Sequence, residues 1–476
     1  MTTYLLTILC FLTAHLAPAQ QTAPAAGDDT CLIRITVEGF TGGKCRFIGV
    51  NGKQNYLALP ELDVEGDYAV VQKDERLPSG LYYFSMPNNK FLQILLDADQ
   101  RFSLDTQLDD LIGSMAVTGS TDNELFYRNL NYELQYKERF DAIRAKAKPA
   151  EATEEDSAQL TKEREALIEE KRAHVAAFAQ DHADSFFTYF KVAGQNPKLQ
   201  KPLLPDGEVD VKKQLTLYKA EYWDHVDFSD ARILRTPVYH NKLEQYIKKL
   251  TPQNPNAVIE AVEWIMNKAI DNQQLFDYTS SYICLTYQKS TMMGGENVFV
   301  HMVDNFLLPE LTPKIGPEEI KKARQQAAKF RLSMLGKKSN ELRARNEKGE
   351  YISLHGLEAP MVVLYIYNLD CEHCMEETPE MLDVYHDWKE EGLEVFALCT
   401  NQEEDRWRKY IAEQKLDWHN ILDPKYESRY HMKYNIDITP EVYVLDPDRK
   451  IVGLNLKPTQ LDWLFEREFK KIRGEE

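Results

Sequence analysis

The spacing of apolar positions changes twice along this chain. Residues 28–119 carry short alternating runs, LIRITVEGF, CRFIGV, YAVVQ, GLYYFSM, FLQILLD and FSLDT, broken by Gly, Pro, Asn and Asp. A period of two over runs this short predicts strands with one buried face, in an antiparallel sandwich or small barrel. CLIRITVEGFTGGKCRFIGV reads as a hairpin turning at Thr41-Gly42. From Ser120 the period lengthens to about 3.6. Thr121-Asp122-Asn123-Glu124 offers a helix start, after which Leu125, Tyr132, Tyr136 and Phe140 fall on one stripe. SAQLTKEREALIEEKRAHVAAFAQDH, KLEQYIKKL, NAVIEAVEWIMNKAI, QQLFDYTSSYICLTYQK and ENVFVHMVDNFLL continue the helical spacing, separated by loops bearing Pro197, Pro202, Pro205, Pro237, Pro252 and Pro255. An all-helical layer of about seven or eight helices is therefore predicted over residues 120–330.

The texture changes again over residues 331–476. RNEKGEYISLHGLEAP reads as a turn, a short strand and a connector. Next come strand MVVLYIY, a helix from Cys371 to Glu391 stopped by Gly392, strand LEVFALCT and helix EEDRWRKYIAEQ. A short helix YESRYHMKY leads to the hairpin EVYVLD-PDRK-IVGLNL and a last helix, PTQLDWLFEREFKKI. Strand, helix, strand, then hairpin and helix predict a mixed α/β sheet covered by helices. The fold class is thus multidomain: an all-β, sandwich-like part, an all-α part and an α/β part.

Charge narrows the function classes. The 476 residues carry 57 Lys and Arg against 76 Asp and Glu, a formal charge of −19, which argues against a nucleic-acid partner. The first 19 residues read as an export signal, with an apolar Leu5–Leu12 core and Ala17-Pro18-Ala19 before Gln20, although no Lys or Arg precedes the core. Cys10 follows Thr7-Ile8-Leu9, which lacks the small residues a lipoprotein peptidase needs, so export without a lipid anchor is expected. No later apolar run reaches the roughly 18 residues of a transmembrane helix.

Six cysteines remain beyond the signal, too sparse for a disulfide scaffold. A turn at Thr41-Gly42 would set position 45 opposite about 38, which disfavours a Cys31–Cys45 bridge. Cys284 and Cys399 lie in apolar runs and read as buried small hydrophobes. Cys371 and Cys374 are different. They stand three apart where a strand gives way to a helix, in YIYNLDCEHCMEETP. Helix N-terminal N–H groups favour the Cys371 thiolate, and Cys374 one turn on can resolve a mixed disulfide. His373 between them would add to that stabilisation if its imidazole faced the sulfur. Asp370 puts a carboxylate beside Cys371 and opposes it, while Glu372 and Glu376 read as surface groups. His301 with Asp304, and His240 with Glu244, have helical spacing but read as structural pairs.

The stretch Cys371 to Pro379 fits C-x-x-C-x-x-E-x-P and resembles the TlpA/ResA-like branch of the thioredoxin-fold proteins. YNIDITPEVYVLDPDRKIV is similar to that family's later segment, and LGKKSNELRARNEKGEYISLHGLEAPMVVLYIY to its entry strands. The resemblance covers residues about 335–476. It implies a thioredoxin-like fold for the α/β part and a cis-proline at Pro440 facing the dithiol. Thr439 would then present its backbone to an extended client, and Glu377 would supply a carboxylate able to accept a proton. The preceding part is similar to Bacteroidetes envelope proteins that carry an N-terminal β-domain and a helical domain of unknown function. Departures are the missing aromatic before Cys371, Glu441 where a small polar residue is usual, and Asp448-Arg449 in place of a turn glycine.

Three readings stay open. The first is an exported thiol–disulfide oxidoreductase of the periplasm or cell envelope, reductase or general exchanger, acting on protein disulfides and served by an envelope electron donor, with no cofactor. The second is a metal binder built on two thiolates and His373, disfavoured because a closed site needs a second ligand pair and none is nearby. The third is a non-enzymatic envelope scaffold with an ancillary α/β part.

Overall fold

The computed structural model describes residues 29–87, 89–146, 154–436 and 438–475. The export signal read in residues 1–19 lies outside them. The strand-rich part comprises β1 (Cys31–Glu38), β2 (Gly42–Asn51), β3 (Gln54–Leu57), β4 (Leu62–Glu65), β5 (Tyr68–Lys73), β6 (Gly80–Ser85), β7 (Phe91–Leu96), β8 (Arg101–Gln107) and β9 (Ala116–Thr118). They form two sheets, one ordered β5-β1-β8-β9 and one ordered β3-β2-β6-β7 with β4 also on β2. Inward positions of both sheets, Ile33 and Ile35 of β1 and Phe47, Phe84 and Ile94 of the other, share one core.

The expected first hairpin does not form. β1 runs antiparallel to β5 and parallel to β8, while β2 pairs with β3, β4 and β6. Both strands aim apolar faces at the same core, and they satisfy that pattern from opposite sheets. The connection steps across through Gly39, Gly42 and Gly43, all at positive φ. Cys31 and Cys45 are buried free thiols of this core.

Nine α-helices follow among the described residues up to Phe330, beyond the seven or eight expected. They are α1 (Thr121–Lys146), α2 (Glu154–Asp181), α3 (Phe186–Ala193), α4 (Val211–Glu221), α5 (Pro237–Lys248), α6 (Pro255–Ala269), α7 (Gln273–Gln288), α8 (Gly295–Asn305) and α9 (Pro317–Phe330). Of those outside the quoted stretches, α3 is only eight residues long, too short to show a helical period, and α4 is mostly polar with no buried residue. They are marked instead by caps: Ser185 accepts from the Thr188 N–H ahead of α3, and Asp210 from the Lys213 N–H ahead of α4. Contacts divide the chain into two compact units, one holding Thr251–Asn267 and Thr279–Glu476, the other the described residues up to Leu250 with Lys268–Tyr278. Among the described residues no helix is long and apolar enough to cross a membrane.

The α/β part contains β10 (Arg343–Asn346), β11 (Tyr351–Ser353), β12 (Met361–Tyr367), α10 (Glu372–Trp388), β13 (Leu393–Cys399), α11 (Glu404–Gln414), β14 (His419–Leu422), α12 (Tyr430–Lys433), β15 (Glu441–Leu445), β16 (Ile451–Leu454) and α13 (Pro458–Arg473). Its sheet is ordered β11-β10-β14-β13-β12-β15-β16, with β12, β13 and β14 parallel and β15 antiparallel to β12. All seven residues of β12 are buried, which explains its unbroken apolar run. Val363, Tyr365 and Tyr367 share a core with α10 and α13 residues such as Met381 and Phe465. Val362, Leu364 and Ile366 face the other way, toward Leu342, Tyr430 and Tyr434. A helix-covered sheet with β12 near its centre therefore delivers the Asn368–Asp370 loop to the start of α10.

Candidate active site

Cys371 is the N-cap of α10. Its backbone is extended, at φ −95° and ψ 114°, and its sulfur accepts the Cys374 N–H at 3.3 Å. A sulfur in this position takes the place of the side-chain oxygen of an ordinary cap, so local helix geometry itself aims donors at it. The Cys371 thiol donates to the Thr439 carbonyl at 3.0 Å, across the cis Thr439–Pro440 bond. Cys374 is fully buried one turn on, and its sulfur accepts the Asn368 N–H at 3.5 Å. Both cysteines are free thiols.

The two sulfurs are set apart electrostatically. Partial burial alone would raise the Cys371 thiol. Hydrogen bonds from the Cys374 thiol, the Thr439 side chain and the backbone N–H groups of Cys374 and His373 outweigh it and hold Cys371 below an ordinary thiol. Cys374 is pushed up to about 12, by burial first and then by its hydrogen bond to Cys371. Cys371 is thus the more readily ionised of the two thiols, and Cys374 the less.

The remaining expected residues take distinct places. The His373 side chain is 78% exposed and lies 3.6 Å from Glu376, so this residue serves the Cys371 sulfur through its backbone N–H. Glu377 is half-buried, and burial raises its carboxyl above the usual range, with Lys457 acting in the opposite direction. Pro379 sits inside α10 and removes one donor from the helix ladder. Thr439 and Pro440 are half-buried beside Cys371.

Three residues not singled out in the sequence shape the loop before Cys371. Asp370 is ion-paired to Arg406 at 2.7 Å and accepts from Asn401 at 3.0 Å. The Arg406 hydrogen bond holds the Asp370 carboxyl below the usual range, and its charge is directed at that guanidinium. Arg406 also donates to the Leu369 carbonyl at 2.9 Å, while the Leu369 N–H donates to Asn401 Oδ1 at 2.5 Å. Asn368 donates to the Thr400 hydroxyl at 2.9 Å. A pinned polar loop stands where the resemblance leads one to expect an aromatic. Nothing local in EEDRWRKYIAEQ names Asp370 as the partner of Arg406, because the pair spans 36 positions.

The AhpC/TSA family profile matches residues 325–453, over the strand, dithiol helix and cis-proline segment just described. The C-terminal part is a thioredoxin-like domain of the AhpC/TSA family. A second profile, Domain of unknown function (DUF5106), matches residues 159–338. Among curated proteins, the chain is similar to the thiol-disulfide oxidoreductase ResA of Bacillus cereus, 25% identical over 118 residues, covering 25% of this chain and 67% of that protein. The Bacillus subtilis protein of the same name is 23% identical over 104 residues, 22% of this chain and 57% of that protein. Among solved structures, a thioredoxin-like protein from Bacteroides caccae is 19% identical with a TM-score of 0.45, covering 57% of this chain and 99% of that one. A domain of a possible thiol-disulfide isomerase from Cytophaga hutchinsonii is 28% identical with a TM-score of 0.28, covering 30% of this chain and 97% of that one.

Within the thioredoxin-like domain, the turn that lacks its glycine is held by other means. Arg449 adopts φ +63°, unfavourable for a residue with a Cβ. Its guanidinium donates to the carbonyls of Ala359 at 3.0 Å and Asp446 at 3.1 Å, and to that of Leu357. Those bonds to three carbonyls offset the backbone cost and tie the β15–β16 turn to the segment entering β12.

Proposed function

We propose that this protein is an exported thiol–disulfide oxidoreductase of the periplasm or cell envelope, acting on protein disulfides through Cys371 and Cys374. One observation carries the reading: a half-exposed thiol with a lowered pKa caps α10, a buried thiol lies one turn behind, and the Thr439 carbonyl closes the site. Cys371 attacks a client disulfide and Cys374 resolves the resulting mixed disulfide. The Thr439 backbone next to cis-Pro440 offers an edge to which an extended client segment can hydrogen-bond. Glu377, half-buried with a raised pKa, is the carboxylate suited to accept a proton as the dithiol is consumed. His373 contributes its backbone N–H, with its imidazole at the solvent rim. An envelope electron donor re-reduces the pair, and the cleaved leader provides export.

The test is the pH dependence of alkylation of the reduced chain by iodoacetamide, read cysteine by cysteine by mass spectrometry. Cys371 should react fastest, with a midpoint below that of an ordinary thiol, and Cys374 should stay slow until the pH approaches about 12. The sign follows from the thiolate being the nucleophile: lowering a thiol's pKa increases its thiolate fraction at neutral pH. Equal, slow labelling of both would remove the basis for this reading and favour a scaffold with an ancillary thioredoxin-like domain.

A further inference from the structure

The carboxylate nearest in sequence to the reactive sulfur stands where it should oppose ionisation. Asp370 and Cys371 branch from consecutive Cα atoms about 3.8 Å apart. Their side chains are short, so no rotamer carries the carboxylate more than about 9 Å from the sulfur, within the roughly 10 Å screening length of dilute salt. An unpaired carboxylate at that range would raise the Cys371 thiol and reduce its share of thiolate.

Folding gives each oxygen of this carboxylate its own donor. Arg406 Nη1 reaches Asp370 Oδ1 at 2.7 Å, and Asn401 Nδ2 reaches Asp370 Oδ2 at 3.0 Å. The same two residues hold the backbone just before it: Arg406 Nη2 donates to the Leu369 carbonyl at 2.9 Å, and Asn401 Oδ1 accepts the Leu369 N–H at 2.5 Å. A lone exposed ion pair contributes little, because both side chains are free to leave it. Here the guanidinium is held in two directions, and Asn401 is buried. Arg406 also lies 3.5 Å from Glu403, one turn earlier on α11, a longer contact than its bond to Asp370.

The other charged groups around Cys371 are engaged elsewhere or point outward. Glu372, His373 and Glu376 are exposed on the first turns of α10, with His373 3.6 Å from Glu376. Glu377 is half-buried and feels Lys457, the N-cap of α13. From the cis-proline side, Thr439 presents a carbonyl and no charge. Among the described residues, the cation paired with Asp370 is Arg406.

We propose that Arg406 is a positioning residue for the exchange: by neutralising Asp370 it removes the like charge beside Cys371 and leaves the donors at the start of α10 free to stabilise the thiolate. This rests on the dithiol reading above. The matched pair stands where the resemblance leads one to expect an uncharged aromatic, and it restores the neutrality that such a neighbour would supply.

The experiment measures the pH midpoint of iodoacetamide alkylation at Cys371, resolved by peptide, in the reduced full chain. Arg406→Gln keeps a polar side chain and removes the charge. The Cys371 midpoint should rise by about half a pH unit, the effect of one unpaired charge at this range in largely aqueous surroundings. Combining Arg406→Gln with Asp370→Asn removes both charges and should return the midpoint to within about 0.2 of a pH unit of wild type. A role confined to tethering the loop would leave the double variant as shifted as the single one. Asp370→Asn alone should not raise the midpoint. In about 1 M salt, where the screening length falls to about 3 Å, the gap between Arg406→Gln and wild type should close. An Arg406→Gln midpoint equal to wild type overturns the assignment, as does a double variant that keeps the raised value or a gap that salt leaves open. A wild-type chain whose Cys371 labels no more readily than Cys374 fails the dithiol reading itself. A wild type with the expected low midpoint, unmoved by Arg406→Gln, fails only this inference.

Discussion

Cys371→Ser should abolish reduction of insulin disulfides, by roughly a thousandfold or more, because an alcohol is not ionised at neutral pH and cannot carry the exchange. This substitution is a clean chemical test, since serine is among the most favourable N-cap residues. The new hydroxyl can accept the Cys374 N–H that the sulfur now accepts at 3.3 Å, so α10 should keep its start. Unfolding of the variant should accordingly be close to wild type while turnover is lost. Cys374→Ser should fail differently, accumulating a covalent adduct between Cys371 and the client that non-reducing electrophoresis reveals. Residual turnover in Cys371→Ser would rule out Cys371 as the nucleophile. A wild type inert toward several disulfides, with partner complexes unchanged in Cys371→Ser, would point to the scaffold reading.

Local sequence carries much of this site, and long-range contact carries the rest. MVVLYIY is apolar at every position because β12 is buried on both faces, and that same unbroken run marks the strand end at which Cys371 appears. The cap, the turn between the cysteines and the Gly392 stop at φ +102° are all local, and each has a residue signature. By contrast, the Asp370 carboxylate reads from sequence as a repulsive neighbour of Cys371, whereas folding delivers Arg406 from α11 to engage it. The first hairpin is a similar case. Alternation in β1 and β2 fixes which side chains point inward, but it does not say which sheet each strand joins, and the glycines between them permit a crossover as readily as a turn. Trp407 and Tyr410, three apart in EEDRWRKYIAEQ, were the available clue that one face of α11 enters the core behind the dithiol.

Trp407→Ala should destabilise the unit that contains β12 by about 3–5 kcal/mol, the range for deleting a large buried aromatic. Trp407 is 1% exposed and sits in the core shared by β12, β13, α10 and α13. Its indole N–H donates to the Tyr367 hydroxyl at 3.2 Å, so truncation leaves a cavity and also deprives a buried oxygen of its donor. Because the chain has two compact units, a single melting temperature would blend their responses; hydrogen exchange resolved by peptide reads the correct one. Protection of the β12 and β13 amides should fall by about two to four orders of magnitude, while amides of β1 and β6 stay as they are. The loss should reach the chemistry as well. Trp407 anchors the helix that carries Arg406 and Tyr410, so a loosened α11 frees Asp370 from its ion pair and the Asn368–Asp370 loop from its tether. Alkylation of Cys371 should then lose its low midpoint together with the protection. Full protection of β12 in Trp407→Ala would mean that α11 is not the wall behind the dithiol, and that the geometry around Cys371 is maintained by β12 and α10 alone.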